Sequence, residues 1–145
     1  MDRASSRRAG SHEEEIMQHL LRLADEQRVR VVERPGRTRG GYDPATRTIR
    51  LSPGMSARTT RSVLAHELGH ACLGHFPAPT PAIRAQQERQ ADEWAASRLI
   101  TPRAYAEAEE VRGPHLASLA FEMDVTIELV MAYQRLLRQA LPVAG

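Results

Sequence analysis

The chain has 145 residues, of which 41% are hydrophobic and 26% charged, and this suits one domain with a core of ordinary size. It contains no run of about 18 apolar residues, and its first residues lack the apolar centre of a signal peptide, so we expect a soluble, cytoplasmic protein without membrane contact. A single cysteine, Cys72, excludes an internal disulfide, and a net charge of +2 does not by itself indicate a nucleic-acid partner.

The first eleven residues are polar and rich in serine and arginine, and they are predicted to form a disordered lead. A helix is predicted from about His12 to Gln27, because apolar residues recur there at helical spacing and Ser11 stands at an N-cap position. This helix should pack on the surface of the domain.

Short stretches rich in Val, Tyr, Thr and Ile come next, separated by turn residues such as Pro35-Gly36 and Asp43-Pro44. They predict a small antiparallel sheet of about three strands, with the last strand near residues 46–51. Arginine is concentrated here, at Arg28, Arg30, Arg34, Arg37, Arg39, Arg47 and Arg50. We expect a solvated strand face, and an acidic or phosphate-bearing partner is the alternative.

The next predicted element carries the pattern H-E-x-x-H, at His66, Glu67 and His70. At about 100° per residue, the two histidines lie about 40° apart on a helix, so both imidazoles can reach one metal ion. The carboxylate of Glu67 lies beside them, where it can act as the general base on a water without binding the metal. The helix should cover about residues 56–73, with Gly74 placed to end it.

A second helix should follow an N-cap at Thr80 and run to about Ile100. Glu88 and Asp92 lie one turn apart on it, on a stripe shared with alanine and leucine. Carboxylates on an otherwise apolar face indicate either pairing with another group or metal ligation. Asp92 is placed to orient a ligating histidine through its second ring nitrogen.

The remainder of the chain is predicted to be helical. A short helix from Pro102 to about Val111 precedes two amphipathic helices, which divide near Asp124, with Thr126 as the N-cap of the last one. Short strands followed by helices define an α+β chain with a helical C-terminal half.

The stretches HELGHACLGH and ERQADEWAASRLITP resemble the ImmA/IrrE family of zinc metallo-endopeptidases, and the likeness extends over about residues 16–138. The resemblance implies a zincin-like fold, in which the small sheet packs on the active-site helix. It implies that Glu88 is the third metal ligand, beside His66 and His70. The expected cofactor is one zinc ion per chain, with manganese as the alternative. The resemblance also implies that Glu67 is the catalytic base.

The expected organisation is therefore a disordered lead over residues 1–11, a zincin-like metallopeptidase core over residues 12–112 and a C-terminal extension over residues 113–145. The stretch FEMDVTIELV looks like the helix-turn-helix end of the family, and this extension is expected to pack on the core.

The substrate that the resemblance implies is a helix-turn-helix repressor, often encoded nearby, which a regulatory protease would cut. An extended substrate is expected to pair with the strand just before the active helix and to contact Tyr42, Arg47 and Ile49. The candidates for a second contact that selects the target are the C-terminal helices and four arginines, Arg37, Arg39, Arg47 and Arg50. The alternatives are an interaction module that uses the metal structurally and a DNA-binding regulator, so direct nucleic-acid binding stays open.

His75 is not expected to be a metal ligand, because on a continuous helix it stands about 180° from His66 and could join the site only if the helix unwound. The metzincin pattern H-E-x-x-H-x-x-G-x-x-H also fails, since it needs Gly at 73 and His at 76, where the chain has Leu73 and Phe76.

Overall fold

The computed structural model describes the backbone of residues 3–141 and the side chains from residue 12 to residue 141. The elements in this part are α1 Arg3–Glu26, β1 Arg30–Glu33, β2 Gly40–Asp43, β3 Thr48–Leu51, α2 Ala57–Cys72, α3 Pro81–Leu99, α4 Pro102–Arg112, α5 Leu116–Met123 and α6 Ile127–Ala140. The predicted α+β class with a helical C-terminal half is confirmed.

Helix α1 is longer than the sequence predicted. It begins at Arg3, so the backbone of residues 3–11 is helical and the expected disordered lead is wrong for these residues. Their polar composition argued against order, but helix formation is cooperative. They extend a helix whose later turns are anchored in the core by Leu20 and Ala24.

The three strands form a mixed sheet in the order β1-β3-β2, and the all-antiparallel sheet predicted from the sequence is wrong. β3 pairs in parallel with β1, where Arg30 is opposite Thr48, and antiparallel with β2, where Gly40 is opposite Leu51. The turn residues predicted hairpins between consecutive strands, but the connection from β1 to β2 crosses over and leaves room for β3. β3 occupies the middle because it carries the buried side chains of Ile49 and Leu51.

The middle position of β3 excludes it as the strand that receives an extended substrate, because both of its edges are already paired. The free edge that lies against α2 is that of β2. A Cβ atom at Gly40 would lie 2.6 Å from Val63 Cγ1, so only glycine allows β2 to approach α2 this closely.

Helices α2 and α3 also pack closely, at the point where Gly69 faces Ala91. A Cβ atom at Gly69 would lie 3.0 Å from the carbonyl oxygen of Ala91, which is tighter than ordinary van der Waals contact. The N-cap predicted at Thr80 is confirmed, and Ser56 caps α2 in the same way, since each side chain accepts a hydrogen bond from the backbone N–H three residues later. The two helices that carry the predicted site are thus held side by side.

The two C-terminal helices are attached to α2 through the turn between them. Asp124 adopts a left-handed conformation there, with φ of 57°. Its carboxylate accepts hydrogen bonds from the buried guanidinium of Arg61 and, over 3.3 Å, from Nε of Arg58. The backbone N–H of Thr126 donates to Ser62 Oγ over 3.2 Å. These contacts fix the start of α6 beside α2.

All six helices and β3 contribute to a continuous hydrophobic core in the described part of the chain. Its largest fully buried side chains are Leu20, Ile49, Leu64, Leu68, Leu119, Leu129 and Val130. Because this core runs through helices on both sides of residue 113, the packing gives no boundary between the predicted metallopeptidase core and the predicted C-terminal extension. That boundary stays a prediction. Within residues 3–141, none of the helices combines the length and the apolar character needed to cross a membrane.

Candidate metal centre and active site

One turn of α2 brings two imidazoles together, and α3 adds a carboxylate to them. The Nε2 atoms of His66 and His70 are 3.1 Å apart. Glu88 places Oε2 3.0 Å from Nε2 of His66 and Oε1 3.1 Å from Nε2 of His70. Two imidazole nitrogens of α2 thus face the two carboxylate oxygens of Glu88 on α3, and these three side chains are called the triangle below.

The size of the triangle fits a small divalent cation. Tetrahedral zinc, at about 2.0–2.1 Å from each ligand, has neighbouring donor atoms about 3.3 Å apart. The observed separations of 3.0 to 3.1 Å are close to this value. Two imidazole nitrogens and a carboxylate are also a donor set that zinc prefers. The residues present therefore fit one such ion.

The charges around the triangle also favour a cation. Burial lowers the pKa of His66, but hydrogen bonds to Asp92 and Glu88 outweigh burial and raise this pKa to about 10. Hydrogen bonds from His66 and His70 lower the pKa of Glu88. Without a metal, the carboxylates thus hold a proton on His66 at neutral pH, and a divalent cation would replace that proton.

Glu67 lies beside the triangle. Its carboxylate and the ring nitrogens of His66 and His70 are all within 4.8 Å of one another. The side chain is buried and borders the cavity described below. Burial raises the pKa of Glu67, which makes its carboxylate a stronger base than a carboxylate in water. Both its position and its basicity suit proton transfer.

Each imidazole of the triangle has a partner on its second ring nitrogen. Nδ1 of His66 is 2.7 Å from Oδ1 of Asp92, the residue that the sequence indicated for this role. Nδ1 of His70 is 2.9 Å from Nδ1 of His75. The sequence analysis did not foresee this contact of His75 with a predicted ligand.

His75 reaches the site because the helix ends before it. Helix α2 stops at Cys72, and Gly74 has a φ of 70°. The N–H of His75 then donates to the carbonyl of His70 over 2.9 Å, and the N–H of Gly74 donates to that of Ala71 over 3.2 Å. This is a Schellman C-cap, which turns the chain back over the last helical turn. Gly74 was the signal in the sequence that predicts this turn.

The triangle opens into a cavity of about 820 Å³. Its walls are formed by β2 with the residues before it, by α2 and α3, and by the first turn of α6. Tyr42, which the sequence analysis named as a substrate contact, lines this cavity. Phe76 and Arg84 also line it, and the sequence analysis missed them, because Phe76 sits in a proline-rich loop without periodicity and Arg84 is one of many exposed arginines.

The structure does not bring Arg47 and Ile49 to the cavity. Ile49 is fully buried in the middle strand, and the guanidinium of Arg47 donates to the backbone carbonyl of Gln27. Arg50 is engaged internally too, since it donates to the carbonyl of Thr38 over 2.8 Å. The expected substrate contacts of these residues fail because β3 is not an edge strand.

A His-Glu-His cluster on a helix behind a short sheet, open to a wide cavity, is the arrangement of a zincin-like metallopeptidase site. The family comparison agrees with this class. A family model described as the IrrE N-terminal-like domain, of peptidase family M78, matches residues 24–137, and the chain belongs to this family. The resemblance drawn from the two sequence motifs is confirmed.

Among solved structures, the fold is similar to that of a Mycobacterium tuberculosis transcriptional regulator, with a TM-score of 0.54 and 18% sequence identity. The match covers 85% of this chain and 45% of that chain, so this chain spans less than half the length of that regulator. At this identity, the likeness concerns the fold alone. Comparison with curated proteins gives no significant match.

Proposed function

We propose that the chain is a zinc-dependent endopeptidase that binds one zinc ion, with manganese as the alternative ion. The observation that carries this proposal is the triangle of His66, His70 and Glu88, with the buried carboxylate of Glu67 next to it at the wall of an open cavity. Membership of the M78 peptidase family supports the class, whereas the ligand set and the ion belong to the proposal.

In the proposed reaction, His66, His70 and Glu88 would hold a zinc ion, which would supply a water of lowered pKa and a positive charge for the scissile carbonyl. Glu67 takes the proton from the attacking water and then passes it to the leaving amine. Asp92 accepts a hydrogen bond from the Nδ1–H of His66, and this turns the Nε2 lone pair of His66 towards Glu88 and His70.

We further propose that the substrate binds in an extended conformation along the free edge of β2. The backbone carbonyl of Arg39, just before β2, accepts a hydrogen bond over 2.9 Å from the backbone N–H of Ser52, just after β3. In an antiparallel pair the main-chain groups point alternately towards and away from the partner strand, so those of Gly40 and Tyr42 point away from β3. The carbonyl of Gly40 already accepts from the Thr38 hydroxyl, which leaves the N–H of Gly40 and both main-chain groups of Tyr42 for a substrate.

The substrate that we propose is a helix-turn-helix repressor encoded near this chain, which makes the enzyme a cytoplasmic regulatory protease. Backbone pairing along a strand this short gives little selectivity, so the rest of the cavity must choose the target. Phe76 provides an exposed apolar surface there, and the ion pair between Arg39 and Glu128, 3.0 Å long, provides charges across the cavity.

The alternative of a DNA-binding regulator has less support. Of the arginines in the cluster between residues 28 and 50, Arg39 is paired with Glu128, and Arg47 and Arg50 donate to backbone carbonyls. The first turn of α6 lines the cavity, and Leu129, Val130, Ala132 and Tyr133 are buried. This helix therefore serves the packing of the core and the cavity wall.

The proposal is tested by incubating the zinc-loaded protein with the repressor encoded nearby and, separately, with an unfolded casein-like protein. We expect one discrete cut in the repressor, at an exposed linker or helix end, and no comparable digestion of the unfolded protein. Rapid digestion of the unfolded protein at many sites would instead make the chain a general peptidase.

A further inference from the structure

We propose that His75 and Gln90 are positioning residues that hold His70 with its Nε2 lone pair directed at the metal. The inference rests on the proposed metal site. His75 and Gln90 would orient His70 through its second ring nitrogen, as Asp92 orients His66.

Three side chains form a continuous chain of hydrogen bonds from the site to the surface. Nδ1 of His70 is 2.9 Å from Nδ1 of His75, and Nε2 of His75 is 2.9 Å from Oε1 of Gln90. His75 is half-buried and Gln90 is exposed on α3. The Schellman turn after α2 holds the backbone of His75 against the carbonyl of His70.

Metal ligation fixes the direction of every hydrogen bond in this chain. If Nε2 of His70 gives its lone pair to an ion, its proton must be on Nδ1. Nδ1 of His75 must then accept that proton, so the proton of His75 is on Nε2 and is donated to the amide oxygen of Gln90. Each ring nitrogen of the two histidines has a matching partner in this arrangement, and the two imidazoles are neutral.

The two ligating histidines are therefore oriented in different ways. Asp92 gives His66 a charged acceptor, whereas His75 gives His70 a neutral one. A third carboxylate besides Glu88 and Asp92 would add negative charge to a site that already borders Glu67. A neutral acceptor orients the ring of His70 without this added charge.

The test compares two substitutions at His75, one that keeps a hydrogen-bond acceptor near the position of Nδ1 and one that removes it. In His75→Asn, the amide oxygen occupies about the place of Nδ1 and can still accept the proton of His70, whereas His75→Leu has no acceptor. We expect the zinc affinity, measured by chelator competition, to fall about ten- to a hundredfold in His75→Leu and to be largely restored in His75→Asn. Gln90→Leu should lower it several-fold, and the matched control Gln86→Leu, at another exposed glutamine of α3, should leave it unchanged.

Nitrogen-15 NMR of the zinc-loaded protein gives a second readout. The Nδ1–H of His70 should be protected from solvent exchange in the wild type and in His75→Asn, and should exchange rapidly in His75→Leu. Unchanged zinc affinity in His75→Leu would overturn the proposal. So would a loss as complete as that of His70→Ala without rescue by asparagine, because His75 would then be a ligand or a structural residue. If the wild type itself binds no zinc, the proposed function fails instead.

Discussion

Glu88 supplies an oxygen donor and a negative charge in one side chain. Its side chain is about half exposed, at 49%, and glutamates in such positions are ordinarily solvated. Here both of its oxygens face imidazole nitrogens of α2, and hydrogen bonds from those two histidines lower its pKa. It therefore stays ionised in the site, as a metal ligand must.

Replacement of this carboxylate by an amide tests its role as a ligand. Glu88→Gln keeps the shape of the side chain but removes the charge, so we expect the zinc affinity to fall by more than the roughly hundredfold upper limit for residues that only orient ligands. Glu109→Gln makes the same change on the exposed side of α4 and should have no effect. Chelator competition measures both variants, and equal affinities would remove Glu88 from the ligand set.

At the scale of elements, the helices after α1 were predictable because their signals are local. The caps Ser56 and Thr80, the turn at Asp124 and the apolar periodicity all lie within or beside the helices they define. The order of the sheet was not predictable in this way, because the pairing of β1 with β3 joins residues far apart in sequence. That order decides which strand has a free edge, and hence which strand is available to the proposed substrate.

The free edge of β2 can be tested at Tyr42. Tyr42→Pro removes an N–H that points away from β3, so the ladder to β3 is kept and an edge strand tolerates the proline. Tyr42→Ala removes the ring alone and serves as the control. We expect kcat/KM for the repressor to be about tenfold lower in the proline variant than in the alanine variant, which is about the value of one hydrogen bond.

Both Tyr42 variants should keep a native circular dichroism spectrum and bind zinc as the wild type does. Equal cleavage rates in the proline and alanine variants would show that the substrate does not pair with this edge.

At the scale of the whole molecule, the site combines predictable and unpredictable parts. His66, Glu67 and His70 share one helical turn, and Glu88 and Asp92 share another, so helical spacing was enough to single them out. The close contact at Gly69 then brings the two helices together. The walls of the cavity come from the first turn of α6 and from the segment around Phe76, whose places depend on tertiary packing.

The central claim is that metal binding and catalysis reside in different residues of this site. The most direct measurement compares zinc content and repressor cleavage in the wild type and in Glu67→Gln. We expect nearly one zinc per chain in both proteins, and cleavage at least about a hundredfold slower in the variant, because its amide cannot accept the proton. Undiminished cleavage by a zinc-loaded Glu67→Gln variant would contradict the account.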